Sequence, residues 1–265
     1  MIAILGAGKM GEALLSGLLR SGVVAPAGVV AAARRSDRAA QLHDAYGIEV
    51  LTAAEAAGRA ETLVISVKPQ DMATLLAEIS PSVTEDKLVI SIAAGIPTSF
   101  IERRLTGDVP VVRVMSNTPA LVDEAMSVIS PGSHAREPHL KRAEELLRPV
   151  GEVLRIPESQ QDAATALSGS GPAYVYFLVE AMVDAGILLG MPRSTALEMV
   201  KQTVYGAATM LRDSGEHPVL LREAVTSPGG TTINAIRELE KHGVRAAFLA
   251  AIESARDRGR ELASG

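Results

Sequence analysis

Cysteine is absent from this 265-residue chain, which excludes disulfides, thiolate nucleophiles and cysteine metal sites and is compatible with a reducing cytoplasm. Basic character is lacking too: 26 Lys and Arg against 31 Asp and Glu leave a net charge of -5 and a pI near 5.6. No run of like charge offsets that balance, so neither nucleic acid nor an anionic membrane is an expected partner. The five histidines are scattered, and only His134 and His139 are near neighbours, in "SPGSHAREPHL", a surface loop leading into a helix. Zinc needs further ligands that this segment does not supply, so no metal is expected. The start "MIAIL" has neither a basic n-region nor a long apolar h-region and does not read as a signal peptide. An unbroken apolar run is missing as well. The nearest to one, "YVYFLVEAMVDAGILLGM", carries Glu180 and Asp184, which are costly at the centre of a bilayer, and is expected to be a buried helix of a soluble protein.

What the chain does have is 47% apolar residues, ample for a buried core, arranged in two rhythms. Up to about residue 157, the strand-like runs "MIAIL", "VVAAA", "TLVISV", "KLVISIA", "VPVVRVM", "MSVIS" and "EVLRI" alternate with stretches whose apolar residues recur at three- and four-residue spacing. That alternation predicts βαβ units and a mostly parallel sheet. Beyond Pro157 the strand runs stop, and roughly six helical segments follow, punctuated by "SGSGP", "GMP", "SGEHP", "SPGG" and "KHG". The expected organisation is an α/β domain over 1–157 and an all-α domain over 158–265. Helices such as 172–190 and 194–212 are apolar on most of their circumference, more than about 108 residues can cover alone, so oligomerisation through the second half is expected.

"GAGKMG" directly follows the first strand and opens a helix. Gly6 permits the tight turn, Gly8 lets backbone approach a pyrophosphate, Gly11 permits close helix packing, and the helix start through Ala7, Lys9 and Met10 faces the phosphates. A dinucleotide site is expected there. An NAD site usually has an acid at the end of the next strand; "AAARRSDR" has Arg34 and Arg35 instead, which favours a 2′-phosphate and NADP(H), with NAD(H) as the second choice, the alternative being that one or both arginines are ordinary solvated charges. Further strand ends place Val67, Lys68 and Pro69, then Ala93, Ala94 and Gly95, on the edge where open α/β sheets bind ligands, with Lys68 alternatively a solvated charge at a helix start. "SNTP" at 116–119 has the same placement, with Ser116 or Asn117 alternatively a cap.

In the helical half, "VTSPGGTTINAI" breaks the pattern. Pro228 and Gly229-Gly230 end one helix, and Thr231 or Thr232 is expected to cap the next. One glycine and one hydroxyl would suffice for that. The surplus makes a turn whose free N–H groups suit a small carboxylate, followed by hydroxyls that can bond a reacting atom. With no histidine, cysteine or lysine in the motif, the substrate is expected to be basic and to arrive protonated.

Taken together, "GAGKMG", "VKPQ", "NTPA", "LSGSGPAYVYFLVEAM" and "AVTSPGGTTINAIRELE" resemble the Δ1-pyrroline-5-carboxylate reductases, in the same order and over essentially the whole chain. The resemblance implies a Rossmann domain, a helical domain interlocked in a homodimer that often assembles into decamers, and reduction of pyrroline-5-carboxylate to L-proline by NAD(P)H. It further implies that Thr232 bonds the ring nitrogen, that the turn from Ser227 through Gly229 and Gly230 to Thr231 holds the carboxylate, and that Glu158 lies near the substrate. Glu158 alternatively just opens a helix after Pro157. "SGSGPAY" is expected to shape a helix start and the dimer packing, with Pro172 at the first helical position. One departure is Ala53, where many relatives carry an asparagine near the adenine-side ribose. A β-hydroxyacid dehydrogenase would need a catalytic lysine about one turn beyond a comparable helix start; here that region reads "PAYVYFL", and Lys201 and Lys241 are the only lysines after residue 157.

Overall fold

The computed structural model describes residues 1–264. Two compact units make up the chain: residues 1–170 together with the stretch from Arg256, and Gly171–Ala255.

The first unit holds every strand: β1 (Ile2–Leu5), β2 (Val29–Ala32), β3 (Glu49–Leu51), β4 (Thr62–Ile65), β5 (Leu88–Ser91), β6 (Val111–Met115), β7 (Ala125–Pro131) and β8 (Gly151–Arg155). They form one sheet in the order β3-β2-β1-β4-β5-β6-β7-β8, parallel throughout except where β7 runs against β6. Strands β1, β2, β4 and β5 are buried along their whole length, which is why they appear as unbroken apolar runs and not as alternating ones. Alternation survives as a division between faces. Ile2, Ile4, Val64 and Ile90 point to one face, against Leu14, Leu15 and Leu18 of α1 (Lys9–Arg20), Leu42 of α2 (Ser36–Tyr46) and the end of the helix Glu137–Leu147. Ala3, Leu5, Leu63, Ile65 and Val89 point to the other, against α3 (Ala53–Arg59), α4 (Met72–Ile79) and the short α5 (Thr98–Glu102). With helices on both faces this is a doubly wound sheet, and Glu137–Leu147 is α6. After β8 a 3-10 turn at Glu158–Gln160 leads into α7 (Gln161–Ala164) and a π-helical stretch Thr165–Gly169.

The second unit is helical: α8 (Gly171–Leu188), α9 (Arg193–Ser214), α10 (Pro218–Ala224), α11 (Thr231–Lys241) and the start of α12 (Val244–Ser264). Its own core is small. Val183, Ala196 and Val200 are buried where α8 packs on α9, with Val179, Ile187 and Val204 at the margin. The expectation of a buried helix at "YVYFLVEAMVDAGILLGM" is therefore not met within a single chain: Tyr176 is 65% exposed, Phe177 74% and Leu188 89%. Four helices and part of a fifth have too little surface to cover an element apolar on most of its sides, and most of the circumference of α8 is exposed. By length and composition the helical run Glu158–Leu188 would also suffice to cross a membrane.

Candidate functional site

A cleft of about 950 Å³ opens at the carboxyl ends of the central strands, where a doubly wound sheet places its ligands. Its floor is the loop after β1. Gly6 has φ +96°, and an added Cβ there would meet Val67 at 2.7 Å, so both the turn and its packing require glycine. A Cβ on Gly8 would meet no protein atom within 4 Å, although Gly8 lines the cleft; the space it leaves open is the cleft itself. Gly8 also precedes α1 as its N-cap, and no side chain caps the helix, so the first-turn N–H groups remain open to an anion.

Among the residues expected at this site, Gly6, Ala7, Gly8 and Lys9 from the loop, Arg34 and Arg35 after β2, and Val67 and Lys68 after β4 all line the cleft, as does Ala53. The others take different places. Met10 and Gly11 lie in the first turn of α1, Gly11 buried against the Gly6 carbonyl and Ser66, and Pro69 opens the 3-10 turn Pro69–Asp71. Ala93 is buried and Ala94 exposed beyond β5, and neither is among the cleft-lining residues.

Sequence reasoning missed Arg38, Thr52, Ser66, Gln70, Asp71 and Thr74, which also line the cleft. Arg38 sits in the same "AAARRSDR" stretch as its neighbours, but its guanidinium turns inward. It donates twice to the Ala7 carbonyl at 3.1 Å and to Glu12 at 2.5 Å, fastening the glycine loop to α2. Glu12 also accepts from the Tyr46 hydroxyl, and burial together with that carboxylate raises the phenol above its ordinary pKa. Arg34 donates to Asp71 at 2.9 Å, while Arg35 lies 3.7 Å from Asp37. Five cations (Lys9, Arg34, Arg35, Arg38, Lys68) against three carboxylates (Glu12, Asp71, Glu78) line the cleft, a balance that suits a phosphate-rich ligand.

Elsewhere in the first unit, Glu158 is already engaged. One oxygen accepts from the Thr98 N–H at 2.7 Å and lies 3.3 Å from Arg113, and the other accepts from the Thr98 hydroxyl at 2.7 Å. Arg113, with 8% of its side chain exposed, is 3.6 Å from Asp162 as well. Asn117 neither caps a helix with its side chain nor is idle: it donates to the Ser168 carbonyl in the π-helical stretch at 3.1 Å and accepts from the Met126 N–H.

In the second unit, the break at 225–236 has a local explanation that differs from the expected one. Gly229 has φ +71°, which closes the turn, and the Gly230 N–H donates to the Ser227 carbonyl at 3.1 Å. Gly230, with extended φ −76° and ψ −177°, is the N-cap of α11, so Thr231 and Thr232 are its first two helical residues and neither caps it. No side chain caps α11, and its first turn has no acid. What results is a helix entrance with open N–H groups and two hydroxyls beside it, an arrangement with donors for a small anion. Ser227, Gly229 and Thr231 are exposed, and Gly230 and Thr232 half-buried.

Residues 158–262 match the pyrroline-5-carboxylate reductase dimerisation family, and residues 1–95 the family described as NADP oxidoreductase, coenzyme F420-dependent. The chain is 44% identical over 262 residues to the pyrroline-5-carboxylate reductase of Methanosarcina acetivorans, covering 98% of this chain and 97% of that one. The solved pyrroline-5-carboxylate reductase of Coxiella burnetii superposes with a TM-score of 0.93 at 34% identity, covering 98% and 97% of the two chains. That of Plasmodium falciparum, crystallised with NADP bound, gives 0.88 at 27% identity, with 99% and 97% covered.

Proposed function

The chain belongs to the pyrroline-5-carboxylate reductase family, and from that premise we propose which of its residues carry the reaction. It is an NADP-dependent oxidoreductase that reduces pyrroline-5-carboxylate to L-proline, the final step of proline biosynthesis. The dinucleotide, when bound, supplies a hydride to carbon five of the ring. The open first turn of α1 and the bare Gly8 receive the pyrophosphate, Arg34 and Arg35 the 2′-phosphate, and Val67 and Lys68 form the wall beside them. Pro69, in the turn after β4, and Ala93 and Ala94, after β5, complete the cofactor side of the sheet edge.

The turn from Ser227 through Thr231, with the open N–H groups of the first turn of α11, holds the substrate carboxylate, and Thr232 bonds the ring nitrogen. A ring that arrives as the protonated imine is electrophilic at carbon five; hydride addition there gives the neutral secondary amine, so Thr232 has only to orient the ring and need not deliver a proton. Glu158, whose oxygens Thr98 and Arg113 already occupy, acts by positioning the segment that follows it. The C-terminal dimerisation domain makes a homodimer the building block, and a decamer of five such dimers, in the cytoplasm, completes the reading.

The observation that carries these roles is the uncapped entrance of α11, whose threonines lie inside the helix with hydroxyls not spent on a cap. Thr232→Ala is expected to lower turnover about ten- to hundredfold, the worth of one hydrogen bond to a charged group, while NADPH affinity stays the same. Steady-state rates with pyrroline-5-carboxylate, paired with NADPH titration of each protein, decide it; undiminished turnover would take Thr232 out of the site.

A further inference from the structure

Arg34 and Asp71 reach the cleft from the ends of different strands, and their Nη2 and Oδ2 atoms lie 2.9 Å apart. Sites for an unphosphorylated dinucleotide place an acid at the end of β2, where it takes the ribose hydroxyls. Here that position holds arginine, and a carboxylate enters the same cleft from the turn after β4. The cations nearby are not equivalent. Arg38 is fastened to the Ala7 carbonyl and Glu12, with 21% of its side chain exposed, and is not available for exchange. Arg34 is 79% exposed, so solvent screens its pair with Asp71 and a stronger anion can take it. Asp71 is 27% exposed and sits at the N-cap position of α4 without capping that helix, which leaves its carboxylate for Arg34.

We infer that Asp71 is a specificity-determining residue: it competes with the 2′-phosphate of the dinucleotide for Arg34, so the chain separates NADPH from NADH less sharply than Arg34 alone would dictate. The inference rests on the role given to Arg34 above. Without the phosphate there is nothing to compete, and the ion pair remains intact. Removal of the Asp71 charge therefore frees Arg34 for one ligand only.

Direct binding tests this. Full-length wild type, Asp71→Asn, Arg34→Ala and the double variant are titrated with NADPH and with NADH, following nucleotide fluorescence. Because an exposed ion pair is worth little, Asp71→Asn is expected to tighten NADPH by about two- to fivefold and leave NADH within about twofold. Asp71→Ala, which lacks the same charge, should do likewise. On the Arg34→Ala background the gain should vanish, since the two side chains act through one contact. An unchanged NADPH Kd in both Asp71 variants would overturn the inference. A gain that persists in full without Arg34 would overturn it too, because simple repulsion of the phosphate would then account for everything. Wild-type NADPH affinity in Arg34→Ala alone would be a different failure: it would remove Arg34 from the cofactor site and with it the reading beneath.

Discussion

The carboxylate of Glu158 accepts three contacts, from a backbone N–H and a hydroxyl of Thr98 and from the guanidinium of Arg113. Arg113 points out of β6 into a place where little water reaches it, and an unpaired cation there is costly. Glu158 therefore has a structural task to perform before any substrate arrives, and a cationic ring would have to displace partners already in place. Glu158→Gln substitutes an amide whose N–H groups would face donors. It is expected to cost about 1–3 kcal/mol of stability, the range for leaving a buried polar group unsatisfied, with KM for pyrroline-5-carboxylate little changed. Urea unfolding alongside steady-state kinetics separates the roles: a raised KM at unchanged stability would mean that Glu158 serves the substrate directly. Asp162 shares the same arginine, so part of the loss is absorbed there.

At the scale of elements, β8 is largely exposed and pairs on one side only, with β7. Arg155 at its end ties it to α6, donating to Glu144 at 2.6 and 3.1 Å and to Glu137 at 2.7 Å. The hydrogen bonds from Arg155 hold both carboxyl groups below their ordinary pKa. A depressed folded-state value means stability that is fully present above the usual glutamate value of about 4.3 and is lost as pH falls through the folded one. Melting temperature should thus decline on acidification below about pH 4.3, and Glu144→Gln should flatten that decline while lowering the plateau at neutral pH. An acid limb identical to wild type would show that other carboxylates govern it. Elements of this unit were largely legible beforehand, because strands buried on both faces leave continuous β-branched runs. β3, with three residues, left only "IEVL" as a trace. The cap of α11 lies one or two positions before the threonines that the sequence offers for it: hydroxyl side chains are common caps, but here the backbone of Gly230 adopts the cap geometry and displaces them. The Arg34–Asp71 and Glu158–Thr98 contacts join residues 37 and 60 apart, and no periodicity carries information about such pairs.

For the molecule as a whole, the decisive quantity is apolar surface. The helical unit buries Val183, Ala196 and Val200 and leaves Tyr176, Phe177, Leu188 and Leu189 of the α8 segment and Tyr205 of α9 outside. Excess of this kind is what a permanent homodimer interface covers, with the character of a domain core divided between two chains. The expectation of oligomerisation, drawn from helices apolar on too many sides, and the dimerisation family matched over 158–262 thus have the same physical origin. A charge placed in the middle of such a face loses its water on association and finds no partner there. Phe177→Glu is expected to convert a species of about twice the 27.7 kDa chain mass, or a multiple of it, into one that dissociates on dilution, as light scattering would register. If mass and dilution behaviour match wild type, Phe177 does not face the partner, and the apolar surface that pairs two chains must be sought on another side of α8 or along α9.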